Sequence, residues 1–419
     1  MREIGELRKK VMPLLDISRE ISDAELYAAI DTVLTEESRR TYFTLSDRLY
    51  CRKALYDSFR RLDILSEALE QEGVTEVMVN RYDRIYIERN GRIEPFGKSF
   101  SSPGKLEDVI QQIVARVNRR VNETSPMVDA RLADGSRVNV VLPPVSIDGP
   151  VITIRRFNDH PPDMEQLIAW GALDRRTADF LRILVQARFN IFISGGTGSG
   201  KTTFLGALAG FIGSGERIVS IEDSAELRLA SVRNLVRLEA RAASAEGKNE
   251  ITIRDLIRNS LRMRPDRVLV GEVRGPEALD MLTAMNTGHD GSLSTGHANS
   301  AKDAVDRIAD MVLSGSSGLP LAAVYGQIAS AIDVIVHLGR IRDGSRKVLT
   351  VHSVDGTGED GRVRLRMLVR FVEKGEKDGR IVGTFERCGK ILREEKLRSA
   401  GLLQDLRENE RGADSENGG

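Results

Sequence analysis

One stretch limits what this chain can fold into more than any other: Phe189 to Thr203, which reads FNIFISGGTGSGKTT. Ile191, Phe192 and Ile193 form a short apolar run of the kind that makes a buried parallel strand. Gly195, Gly196, Thr197, Gly198, Ser199, Gly200, Lys201 and Thr202 follow at once. A strand that opens into a glycine-rich turn and then into a helix-forming run is the pattern of a phosphate-binding loop. The glycines accept backbone angles closed to other residues, so consecutive N–H groups can turn inward around phosphate oxygens, and the next helix adds the positive end of its dipole. In that arrangement Lys201 reaches the β and γ phosphates and Thr202 offers its hydroxyl to Mg²⁺, while Thr203, Leu205, Ala207 and Leu208 carry the helix away. The ligands implied are ATP and Mg²⁺. A flexible surface turn would explain the glycines but neither the strand before them nor the helix after.

The chain has 419 residues, room for two or three domains each with its own core, and 41% hydrophobic with 30% charged residues describes a soluble globular protein. Lys and Arg number 62 and so do Asp and Glu, so the net charge of zero offers no electrostatic case for a nucleic-acid partner. Cys51 and Cys388 lie too far apart in sequence to suggest a disulfide framework, fit a reducing compartment, and read as ordinary buried thiols. The N-terminal stretch MREIGELRKKVMPLLDISRE has no apolar core of signal-peptide length, and no apolar run is long enough to span a bilayer. The expectation is a cytoplasmic protein that reaches a membrane only through partners.

Residues 1–70 are charged and helix-like, with Leu62, Leu65 and Leu69 at helical spacing. From Val74 the period changes to two: Val77 and Val79, then Ile85 and Ile87, then a hairpin turn at Asn90-Gly91. Ser102 and Pro103 start a helix with Leu106, Val109, Ile110, Ile113 and Val117 on one face, and a second hairpin turns at Asp134-Gly135 before VITIRRF at 151–157. Residues 71–157 therefore read as an arginine-rich α+β domain. Pro161 and Pro162 mark a linker over 158–166. From there to 406 strands and helices alternate, which implies a parallel sheet covered on both faces, followed by hairpin-like strands beyond Asp343-Gly344 and a helix near Leu392 to Leu406. The polar, glycine-rich end, 407–419, reads as disordered.

Downstream of the phosphate loop, RIVSIEDSAEL places Glu222, Asp223 and Glu226 where a parallel strand meets the ligand edge of a sheet; such carboxylates hold a Mg²⁺ shell or orient an attacking water. MRPDRVLVGEVRG then puts Glu272 at the end of a buried Val-Leu-Val strand, where a general base is useful. TGHDGSLSTGHANS presents His289, Asp290 and His297 around a short strand, without the tight spacing of a helical metal pair. Two readings stay open for these histidines: groups that sense the γ-phosphate, or structural imidazoles satisfied by the backbone.

The combination SGGTGSGKTT, IEDSAEL, RPDRVLVGEVRG and TGHDGSLSTGHANS resembles the four boxes of the type II/type IV secretion-system ATPases. The stretches SPMVDARLADGSRVNVVLPP, ITIRDLIRNSLRMRPD and EALDMLTAMNTGHDGS resemble the tight-adherence (Flp) pilus branch of that family, the CpaF type. The resemblance implies a RecA-like α/β P-loop domain with a parallel sheet, preceded by a smaller α+β, PAS-like domain and an N-terminal helical segment. It implies ATP and Mg²⁺ as ligands, a cytoplasmic homo-hexamer, and an inner-membrane platform as partner, with no nucleic acid. By position, Glu272 and Glu226 match the catalytic carboxylates, Glu226 and Thr202 the metal's surroundings, and His297 the last box. Arg137 and Arg155 resemble the arginines that contact the γ-phosphate. Arg274-Gly275 stands where pilus-retraction relatives have Arg-Asp, and residues after about 352 diverge. Competing classes are a nucleic-acid translocase, a small-molecule kinase with a mobile lid, and a scaffold that binds ATP without turning it over.

Overall fold

The computed structural model describes the chain except residues 1–3, 17–18, 20, 41, 90, 117–120, 158–160, 230–231, 242, 244–248, 317 and 417–419, and the side chains of 412–416. The expectations for Asn90, Val117, the first part of the linker and the last three residues lie outside the described residues. The chain divides into two compact units, Met1–Asn158 and Asp159–Gly419.

The first unit begins with helices α1 (Ile4–Val11), α2 (Asp23–Arg40) and α3 (Leu45–Arg60), which share a core built from Leu7, Val11, Leu26, Ile30, Leu34 and Leu55. Helix α4 (Ile64–Glu70) leads into β1 (Val74–Arg81), β2 (Arg84–Arg89) and β3 (Arg92–Pro95); α5 (Pro103–Arg116) precedes β4 (Met127–Arg131), β5 (Arg137–Val141) and β6 (Val151–Arg155). The strands make one antiparallel sheet in the order β3-β2-β1-β6-β5-β4. Alternation sends Val77, Val79, Ile85, Ile87, Ile152 and Ile154 to the face covered by Leu106, Val109, Ile110 and Ile113 of α5. The other face carries a row of charge in register across the strands, Arg131, Arg137, Arg155, Glu76 and Glu88.

The second unit runs α6 (Met164–Ala169), α7 (Arg175–Gln186), β7 (Ile191–Gly195), α8 (Lys201–Ala209), β8 (Arg217–Glu222), β9 (Asn234–Glu239), α9 (Ile253–Ser260), β10 (Arg267–Val273) and α10 (Glu277–Asn286). It continues with β11 (Leu293–His297), α11 (Ala301–Ser314), α12 (Leu321–Ala331), β12 (Val334–Arg340), β13 (Arg346–Thr357), β14 (Val363–Lys377), β15 (Arg380–Arg387), α13 (Glu395–Ser399) and α14 (Leu403–Glu416). Its nine strands form one sheet, β15-β14-β13-β12-β7-β11-β10-β8-β9. From β12 to β9 neighbours are parallel; β13 to β15 continue the sheet antiparallel. Strand β7 is buried along its whole length because both faces are covered. Ile191 and Ile193 pack with Phe180, Leu181 and Leu184 of α7 and Leu205 and Leu208 of α8, whereas Phe192 packs on the other face with Met281, Ile308 and Ile328 of α10, α11 and α12. Each such side chain contributes roughly 1.5–3 kcal/mol by leaving water.

Three expectations change at the C-terminal end. The helix near Leu392 to Leu406 is two helices, separated at Gly401, whose φ of +71° suits glycine. As far as Glu416 the end is a helix rather than a disordered tail: α14 buries Leu406, and Arg176 of α7 donates from Nη2 to the carbonyls of Asn409 and Glu410 at 2.8 and 3.0 Å. Local composition misses partners more than 200 residues away in the chain. Of the cysteines only Cys51 is buried; Cys388 is exposed.

Candidate active site

The turn between β7 and α8 is shaped by close approach. A Cβ on Gly195 would stand 2.5 Å from the carbonyl oxygen of Leu338 and 2.6 Å from Ser199 Oγ, so no larger residue fits there. Gly198 and Gly200 take left-handed angles, φ +72° and +91°, and Gly200 caps α8 without a side chain, which leaves the first N–H groups of the helix open to an anion. Gly196, Thr197 and Gly198 are exposed, while Ser199 is buried and its Oγ donates to Gly196 O at 2.9 Å. Lys201 is buried at the foot of the loop. Its Nζ donates to the carbonyls of Gly195 and Gly196 at 3.2 and 3.0 Å, burial pushes its pKa down, and Glu272 pulls it back up. Thr202 and Thr203 follow in the first turn of α8, both half-buried.

The parallel register sets the next groups beside this loop. His297, the last residue of β11, pairs with Gly195, and β10 lies on the far side of β11 and carries Glu272 near its end. His297 Nδ1 is 3.3 Å from Lys201 Nζ, and its Nε2 is 2.6 Å from Glu272 Oε1. Burial lowers the imidazole pKa, Glu272 raises it, and the net shift is down, so the ring is neutral near pH 7. An ammonium can only donate; Nδ1 is therefore the acceptor and the ring proton sits on Nε2, facing Glu272. On the other side, Arg274 donates from Nε and Nη2 to Glu272 Oε2 at 2.9 and 2.6 Å. Glu272 Oε1 is buried, with His297 Nε2 against it.

One sequence reading is corrected here. Glu222 does not face a ligand: it is buried at the end of β8, and its Oε2 accepts the N–H groups of Glu226 and Leu227 at 2.7 and 2.8 Å, so it shapes the loop that carries Glu226. Burial raises the Glu222 pKa against those two donors, and a Cβ on Gly271 would come within 2.8 Å of its Cγ. The histidine pair separates. His289 and Asp290 precede β11, at the end of the sheet opposite the phosphate loop; His289 Nδ1 meets Ala284 O at 3.2 Å and Asp290 pairs with Lys396 at 2.6 Å. Glu226 is half-buried and Asp223 exposed, 3.7 Å from Arg274 Nη1. Arg137 and Arg155 lie in the first unit as cross-strand neighbours, with Arg155 Nε 3.9 Å from Glu76 Oε1.

Beside the loop lies a cavity of about 1200 Å³, walled by Trp170, Thr203, Phe204, Arg346, Lys347 and Phe371 among others. Arg274 and Arg346 were not singled out as site residues by the sequence reading. Arg274 sits two residues from Glu272 and was within reach of a positional argument. Arg346 is 145 residues beyond Lys201 on an antiparallel strand, and nothing local marks it.

The family of type II/IV secretion system proteins matches residues 61–398. The chain belongs to that family. Relatives within it include a protein of Mycobacterium tuberculosis named for conjugal transfer, 37% identical over 69% of this chain and 83% of that one. The type IV secretion system protein PtlH of Bordetella pertussis is 35% identical over 70% of this chain and 94% of its own. Among solved structures, the pilus retraction motor PilT with bound ADP superposes with a TM-score of 0.52 at 19% identity, over 83% of this chain and 88% of that one, a likeness of fold. The second unit accordingly has a RecA-like fold, and the first unit precedes it in the chain.

Proposed function

We propose that this family member is a motor ATPase that hydrolyses ATP as a homo-hexamer in the cytoplasm and drives an inner-membrane platform for pilus assembly or protein secretion. The observation that carries the enzymatic part is Glu272: a carboxylate beside the phosphate loop, held between Arg274 on Oε2 and His297 on Oε1, in a fixed position from which it can accept a proton from water. Lys201 neutralises phosphate oxygens, the open N–H groups of α8 and the loop hold them, and His297 links the lysine to the base. Mg²⁺ keeps water and phosphate ligands and takes one or two from protein. Thr202 and Glu226 would hold it, and when bound it adds charge neutralisation at the phosphates. Arg137 and Arg155 are proposed as cations delivered to a neighbouring subunit's γ-phosphate. No helix among the described residues is long and apolar enough to cross a membrane.

The tight-adherence branch is the finer assignment. It rests on Arg274-Gly275 and on the stretches at 125–144, 251–266 and 277–292. Phosphate release by purified wild type and Lys201→Ala tests the enzymatic reading: turnover is abolished in the variant, and unchanged turnover would overturn the assignment. Loss of surface pili in a strain lacking the gene, restored by wild type and not by Lys201→Ala, tests the branch.

A further inference from the structure

The phosphate loop has little of its own to hold its shape. Between Gly195 and Lys201 the only side chains belong to Thr197 and Ser199, and Ser199 is tied back to Gly196 from within the loop. An outside brace comes from β13. Arg346, its first residue, donates from Nε to the carbonyl of Gly198 at 2.8 Å, and its Cδ lies where a Cβ on Gly200 would come within 3.3 Å.

The backbone under Arg346 is fixed on both sides. Ahead of it, Asp343 accepts the N–H of Ser345 at 2.9 Å and that of Ile381 on β15 at 2.7 Å, which locks the turn between β12 and β13. After it, Lys347 is buried and donates to Gly171 O at 2.8 Å, and Val348 N–H bonds Ala172 O. On the other flank β12 lies against β7, with Leu338 paired to Gly195. The guanidinium is thus held out over the loop from a rigid corner.

A peptide unit is planar and trans, so the Gly198 carbonyl and the Ser199 N–H point in opposite directions. The Ser199 N–H donates to Gly196 O at 3.3 Å within the loop, so fastening the Gly198 carbonyl from outside holds that turn closed from its other side. A guanidinium has five N–H donors and the loop takes one of them, leaving the rest at the wall of the adjoining cavity.

We propose that Arg346 is a positioning residue of the nucleotide site, holding the Gly198 peptide from outside so that the phosphate loop stands ready for the phosphates it receives. The proposal rests on the nucleotide reading of the preceding subsection. The loop contacts phosphates common to the nucleoside di- and triphosphate, so Arg346 acts on affinity for both and only weakly on the hydrolytic step.

The experiment is calorimetric titration of full-length wild type, Arg346→Ala and Arg346→Lys with Mg·ADP and with a non-hydrolysable Mg·ATP analogue, alongside steady-state hydrolysis and thermal melting. Arg346→Ala weakens both ligands by about 10-fold or more, raises KM in step and lowers kcat by less than about 3-fold, and Arg346→Lys recovers part of the affinity. Unchanged affinities overturn the proposal. So does a loss confined to the triphosphate, which would make Arg346 a γ-phosphate contact, or a collapse of kcat at unchanged affinity. A lower melting temperature with normal binding would make Arg346 a structural residue only. If wild type itself binds neither nucleotide, the nucleotide reading fails and this proposal with it; normal wild-type binding with an indifferent Arg346→Ala removes this proposal alone.

Discussion

A carboxylate that activates water needs a fixed position, and Glu272 and Glu226 differ in how they are fixed. Glu272 stands at the end of a buried strand with Arg274 on one oxygen and His297 2.6 Å from the other; Glu226 sits on a loop whose backbone is pinned by Glu222. Glu→Gln keeps the shape and removes the basic oxygen. Glu272→Gln is expected to bind Mg·ATP about as tightly as wild type and turn over at least about 100-fold more slowly, while Glu226→Gln loses less activity. Single-turnover hydrolysis with equilibrium binding decides it: a slower Glu226→Gln enzyme, with Glu272→Gln losing affinity, would reverse the roles. At this scale the sequence was legible where chemistry is written locally. Gly195 to Thr202 form the loop because the motif is contiguous. Glu222 was misread because its partners are backbone N–H groups, which a string of side chains does not display.

At the scale of elements, the period-two runs and the alternation of strand and helix foretold β1, β2, β7, β8, β10, β11 and β12, each with a strong apolar signal. Strand β9 escaped because an edge strand alternating polar and apolar, NLVRLE, has little to distinguish it. Helix α12 escaped because LAAVYGQIASA is apolar on most sides and shows no stripe. The order of strands was also out of reach, since pairing β12 beside β7 is a long-range choice. That choice creates a buried polar contact: His337 of β12 meets Ser194 Oγ of β7 at 2.9 Å and lies close enough to His352 of β13 to perturb it. Burial holds both imidazoles below their ordinary value. An unfolded histidine takes up a proton below about pH 6.5, whereas these resist it, so stability is present above that pH and is lost as pH falls toward their folded values. Urea midpoints measured from pH 7.5 to 5 should fall, and should fall less steeply in His337→Gln, by up to about 1.4 kcal/mol per pH unit for one proton. An identical slope in the variant would show that His337 is not among the groups taking up protons.

At the scale of the whole molecule, the candidate site residues divide between the two units: loop, lysine and carboxylates in one, Arg137 and Arg155 in the other. If those arginines act in an assembly, specific activity rises steeply with protein concentration, and mixing Arg137→Ala or Arg155→Ala with Lys201→Ala protein restores some turnover, since each variant supplies what the other lacks. Concentration-independent activity of a sedimenting monomer would contradict this. One further feature acts at this scale. The chain has a single tryptophan, and it is Trp170, more than half exposed on the wall of the cavity beside Thr203 and Phe204. Excited at the red edge of the absorption band, the entire protein therefore emits from one known position next to the phosphate loop, and the arrival or departure of a ligand can be followed in real time, without a label, as a change in the colour and intensity of that one indole.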